Sequence, residues 1–102
     1  MTDTTPADEL RTAAQTLLDL ADDTAEDMAT NDYWRSAVVE PKHWFHNGID
    51  NAVGGPAGKL AGLMSPRFAR MLAIYFRDEA GRGQDFDTRA VTLARVMNGG
   101  QP

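Results

Sequence analysis

Residues 5–29, TPADELRTAAQTLLDLADDTAEDMA, carry the strongest structural signal in this chain. Thr5 is a good N-cap, Pro6 suits the first helical position, and Asp8 and Glu9 favour the positive end of a helix dipole. Asp8 stands where a capping box would have Glu or Gln, so the box is approximate. Leu10, Ala14, Leu17, Ala21, Thr24 and Met28 then recur at alternating spacings of four and three, with Leu18 and Leu20 widening the apolar side. The pattern predicts an amphipathic helix of about six turns. The same spacing permits a coiled-coil seam, weakened by alanine and threonine.

A chain of 102 residues reads as one domain, and 42% hydrophobic residues suit a folded protein rather than a disordered one. A mean hydropathy of −0.42 and the lack of a long apolar run exclude a transmembrane helix. No basic stretch followed by an apolar core opens the chain, so no secretory signal is expected and the cytoplasm is the expected location. Without cysteine there is neither a disulfide nor a thiolate metal site to staple the fold. Packing must hold it together, and a core this small favours a partner subunit.

Charge is uneven. Nine acidic residues lie within 1–32 against Arg11 alone, a net −8, whereas 33–102 carries +3. An acidic helix of this kind is read as a solvated face whose counter-charges lie elsewhere in the fold. The sharper alternative is an acidic nucleic-acid mimic, with helix 6–29 occupying a basic groove on another protein.

Beyond Asn31 and Asp32, which are turn residues, YWRSAVVE is ambiguous. Its aromatic and β-branched content allows a short strand or ribbon near 33–40, and its spacing allows two turns of helix with Trp34, Ala37 and Val38 on one side. Pro41 ends either one, and KHWFHNGIDNAV reads as helical up to Gly54. Gly54, Gly58 and Gly62 are four apart, a small-residue groove that lets another backbone come close inside a soluble bundle. They are not a phosphate loop: Val53 and Leu60 stand where a Walker A motif needs Gly and Ser or Thr. In SPRFARMLAIYFRDEAG, Ser65 caps, Pro66 starts and Gly81 stops a helix, and Phe68, Met71, Leu72, Tyr75 and Phe76 match its expected buried face. A last helix opens near Asp87, with Ala90, Leu93, Ala94 and Met97 as its stripe and Arg95 favouring its C-terminal end.

Three chemical readings compete. His43, His46 and Asp50 fall at i, i+3 and i+7 on a helix, a plausible zinc or iron set if Glu40 and water completed it. The zincin spacing is absent, and Trp44 and Phe45 between the histidines favour the partly wet edge of a core, so no metal or cofactor is assigned. Neither Ser36 nor Ser65 sits in a nucleophile elbow, and the carboxylate pairs Asp22/Asp23 and Glu26/Asp27 lack a shielded pocket, which argues against an enzyme. The 57–77 region has the outline of a helix-turn-helix with Arg67, Arg70 and Arg77 on its second helix. A net charge of −5 weighs against nucleic acid.

TPADELRTAAQTLLDLA, LMSPRFARMLAIYFRDEA and TRAVTLARVMNGG together resemble a group of small proteins of Streptomyces-type actinobacteria and their phages. The likeness rests on the opening helix and on Met64, Ser65, Pro66, Glu79, Ala80, Ala94 and Arg95, and spans about two thirds of the chain. The middle, 33–55, departs from it. The resemblance implies a phage or mobile-element origin and not an activity; such an origin would suit a modulator of a host protein, and no functional residue carries over.

The sequence therefore predicts a mostly all-α domain of four to five helices. Its expected function is a non-enzymatic protein–protein interaction module that self-associates, through Leu10 and Leu17 of the first helix and Trp34, Trp44 and Phe45 of the middle segment. No membrane partner is expected.

Overall fold

The computed structural model describes residues 4–99. It is all-α, with α1 at Pro6–Thr30, α2 at Trp44–Val53, α3 at Gly55–Ala61, α4 at Pro66–Ala80 and α5 at Thr88–Met97. Two single 3-10 turns, Asp32–Trp34 and Pro41–His43, lie between α1 and α2. No helix among the described residues is long and apolar enough to cross a membrane.

Local chemistry sets the helix ends. Thr5 Oγ1 accepts the Asp8 N–H at 3.1 Å and the Thr5 N–H returns to Asp8 Oδ2 at 3.4 Å, so aspartate completes the capping box in place of glutamate. Ser65 Oγ accepts from the Phe68 N–H ahead of Pro66, and Asp87 Oδ1 accepts from the Arg89 N–H at the start of α5. Arg89 also reaches Asp87 through its guanidinium, and these side-chain and backbone hydrogen bonds hold the Asp87 carboxyl below the usual carboxylate range.

The chain divides into two compact units, one comprising everything up to Asp19 and from Arg70 on, the other Leu20–Ala69. In the first, Leu10, Ala13, Ala14 and Leu17 of α1 are buried, as are Ala73, Phe76 and Ala80 of α4 and Ala90, Val91 and Ala94 of α5. Leu10 and Leu17 are therefore core and not docking surface, which corrects the interface assigned to them.

The buried face of α4 is also corrected. Ala69, Ala73, Phe76 and Ala80, at i, i+4, i+7 and i+11, are the residues it hides, while Phe68 is 50% and Met71 60% exposed and Tyr75 also reaches solvent. The helix is turned by about one residue from the expected orientation, ~100°. Of the expected face Phe76 is buried and Leu72 half-buried; a core walled by alanines has room for small side chains and one large ring, so Phe68, Met71 and Tyr75 turn outward.

Glu79 is the buried charged residue of this unit. Its Oε1 accepts the Asp87 N–H at 2.7 Å and its Oε2 pairs with Arg82 Nε at 2.8 Å, so one carboxylate clasps both ends of the α4–α5 connection. Glu79→Ala is expected to lower stability by about 2–3 kcal/mol and Glu79→Gln, which keeps one acceptor, by roughly half of that. Urea unfolding measures both; equal losses would show that the hydrogen bonds are not what matters. Across the same unit Arg95 pairs with Glu9, Asn98 donates to the Glu9 carbonyl, and Arg77 donates to Gln15.

In the second unit neither of the two forms allowed near 33–40, a short strand or ribbon and two turns of helix, is present. Asn31 Oδ1 caps the turn at Asp32–Trp34, Ser36 Oγ accepts from the Val38 N–H, and Val38 is 93% exposed. The β-branched side chains find no partner strand, and these local bonds satisfy the backbone instead. Pro41 opens a 3-10 turn, and α2 begins only at Trp44. Gly54, at φ 77°, ends α2 and caps α3, a left-handed conformation that favours glycine. The expected close crossing follows. A Cβ at Gly58 would lie 3.1 Å from Asp50 Oδ1, and one at Gly62 would lie 2.6 Å from His46 Nδ1. Bare glycines let α3 lie against α2.

Candidate functional site

Within Leu20–Ala69 the C-terminal part of α1 presents Leu20, Asp23, Thr24 and Asp27 at i, i+3, i+4 and i+7, one face of the helix. Trp34 from the 3-10 turn and Phe45 and Ile49 from α2 stand opposite, and the two sets enclose an open groove of about 370 Å³. Its walls are apolar and its rim carries two carboxylates one turn apart.

The aromatic wall is tightly built. The Trp34 and Phe45 rings stack with centroids 5.8 Å apart and planes 8° from parallel, and Tyr33 meets Trp34 edge-on at 5.3 Å. Trp34 Nε1 donates to Asp27 Oδ2 at 2.6 Å, and the Tyr33 hydroxyl donates to the Gly48 carbonyl at 2.6 Å. Gly48 makes this possible. A Cβ there would sit 2.5 Å from Trp34 Cε3 and 2.7 Å from Cζ3, so only a glycine lets the indole lie flat on α2.

The structure brings Trp34 and Phe45 together by stacking, Trp34 buried and Phe45 half-buried, so Trp34, like Leu10 and Leu17, is mostly core. Trp44 lies outside the groove lining; its Nε1 donates to the Val39 carbonyl at 2.9 Å and ties the preceding loop to α2. His43 is exposed at the N-cap of α2, and His46 and Asp50 are turned along α3 against Gly62 and Gly58. Among the described residues no three His, Asp or Glu side chains are grouped to hold a metal ion. The 57–77 stretch forms most of α3, a short turn and most of α4. Arg67 is exposed there, Arg70 half-buried, and Arg77 donates to Gln15.

No family model, no curated protein and no solved structure matches this chain. A functional reading of it rests on residues and geometry.

Sequence reasoning did not single out Asp23 and Asp27 as a working pair, because both fall on a side of α1 that the Leu10–Leu17 stripe leaves to solvent. A usable signal was present. Leu20, Thr24 and Asp27 share a face, and a mid-helix glycine at 48 faces a tryptophan whose indole N–H needs an acceptor.

Proposed function

We propose that this chain is a small non-enzymatic protein-interaction module that pairs with a second copy of itself. One observation supports the reading. Where α3 passes into α4, Leu60, Leu63, Met64 and Phe68 stand exposed within a single short stretch, Leu60 at 72% and Leu63 at 65%. Scattered apolar side chains on a surface are ordinary, but several from one stretch form the kind of patch that marks an interface. Hiding each of them fully is worth roughly 1.5–3 kcal/mol. A second reading, DNA binding through Arg67, Arg70 and Arg77, is favoured by the helix–turn–helix outline of α3 and α4 and opposed by the net charge of −5.

Light scattering across a wide concentration range tests the first reading. The mass should rise from the 11.1 kDa of one chain towards twice that value, and Leu60→Ser combined with Phe68→Ser should hold it at the lower figure. A wild-type mass that stays at 11.1 kDa at every concentration overturns self-association. Salt-sensitive retention on duplex DNA would move the support to the second reading.

A further inference from the structure

We infer that the groove between the C-terminal part of α1 and α2 receives a lysine or arginine side chain, flanked by an aliphatic residue, from a segment of a partner protein. The argument is one of complementarity. Leu20, Trp34, Phe45 and Ile49 offer an apolar bed for the methylene stem and its neighbour, and Asp23 and Asp27 stand at the rim where the charged head would emerge. None of the lining residues is basic.

The electrostatics of α1 point to the same occupant. Asp23 and Asp27 are like charges at i and i+4, which repel. Asp27 also lies in the last turn of α1, at the negative end of the helix dipole where a carboxylate is unfavourable, and that turn holds no basic residue. Arg35 reaches that end of the helix but is engaged by the Ala29 carbonyl and by Asp32, neither of which lines the groove. Among the described residues no cation pairs with Asp23. An incoming cation relieves the repulsion and the dipole penalty together. Asp27 Oδ2 accepts the indole N–H and its Oδ1 accepts from Asn31 Nδ2 at 3.4 Å, which still leaves acceptor capacity, since a carboxylate has about four lone-pair sites. The opening of about 370 Å³ matches one long side chain with a flanking aliphatic group, at the small end of ligand sites.

The groove surface is separate from the α3–α4 patch, so the two readings fail independently. The test uses the full chain carrying Trp44→Phe, which leaves Trp34 as the one indole, and three pentapeptides with arginine, lysine or glutamate between two leucines. Two-dimensional NMR follows the Trp34 indole N–H during titration. The arginine and lysine peptides should shift that resonance saturably at millimolar concentration, with weaker binding as salt rises, and the glutamate peptide should not. Asp23→Asn should weaken the arginine peptide about two- to fivefold, as expected for an exposed ion pair, without altering the far-ultraviolet spectrum. No saturable shift with the cationic peptides, or equal shifts with all three, overturns the proposal. Retention of full affinity by Asp23→Asn removes the role assigned to the rim.

Discussion

Replacing Trp34 by alanine is expected to destabilise Leu20–Ala69 by about 3–5 kcal/mol, the range for deleting a large buried aromatic side chain. The loss has several sources. Trp34 is buried, stacks on Phe45, meets Tyr33 edge-on and donates its indole N–H to Asp27. Its neighbours cannot close the gap, because the backbone beneath it at Gly48 has no side chain to swing in. Gly48→Ala provides the sharper test of the geometry. An alanine in mid-helix ordinarily gains about 1 kcal/mol over glycine. Here its Cβ would fall 2.5 Å from the indole, and overpacking of this kind costs about 1–3 kcal/mol, which outweighs the gain. In a Trp34→Ala background only Tyr33 Cε2, 3.3 Å from the added Cβ, still has to give by a few tenths of an ångström, so the same substitution should stabilise. Chemical unfolding of the two single variants and the double variant reads this reversal of sign. If Gly48→Ala acts in the same direction in both backgrounds, the indole does not lie on α2 as described.

Phe76→Ala should cost about 4–5 kcal/mol, near the top of the range for its type. Phe76 is 0% exposed, and the small buried residues of its unit, among them Ala13, Ala14, Ala73, Ala80, Ala90 and Ala94, have nothing to extend into the vacated space. A cavity that cannot collapse carries the full penalty. Phe68→Ala, two turns earlier on the same helix and half exposed, should cost no more than about 1 kcal/mol in dilute, monomeric solution. The pair tests which way α4 faces. Equal losses at the two positions, measured by thermal unfolding below the association range, would mean that α4 buries the Phe68 side after all.

Helix positions were largely legible in the residues themselves. Thr5 with Asp8, Ser65 with Pro66, and Asp87 with Arg89 act through contacts two or three residues apart, and such contacts are written into short stretches of sequence. Gly58 and Gly62 likewise announced a close approach, while Gly54, the third of that spacing, serves instead as the positive-φ residue between α2 and α3. Several residues near the helix ends also have structural employment. Glu79 clasps the α4–α5 connection, Ala80 and Ala94 are buried, and Arg95 pairs with Glu9.

Which side of α4 is hidden was decided by tertiary packing. Phe68, Met71 and Tyr75 satisfy an amphipathic template as well as Ala69, Ala73 and Ala80 do, and apolar spacing alone favours the larger set. A narrow space between helices favours the smaller one, because it admits methyl groups and excludes rings. The segment 33–40 shows the same division. Its composition suits a strand, but a strand needs a partner backbone and none is supplied, so Tyr33 and Trp34 fold onto Gly48 instead. The groove itself joins Asp27, Trp34 and Phe45 across gaps of seven and eleven residues through a 3-10 turn whose direction no local pattern specifies. Sequence by itself determined where the chain coils and where it stops, because those choices depend on near neighbours. Only the folded arrangement could choose the buried faces and bring two carboxylates to the edge of an aromatic wall, because those choices depend on the space that distant segments leave.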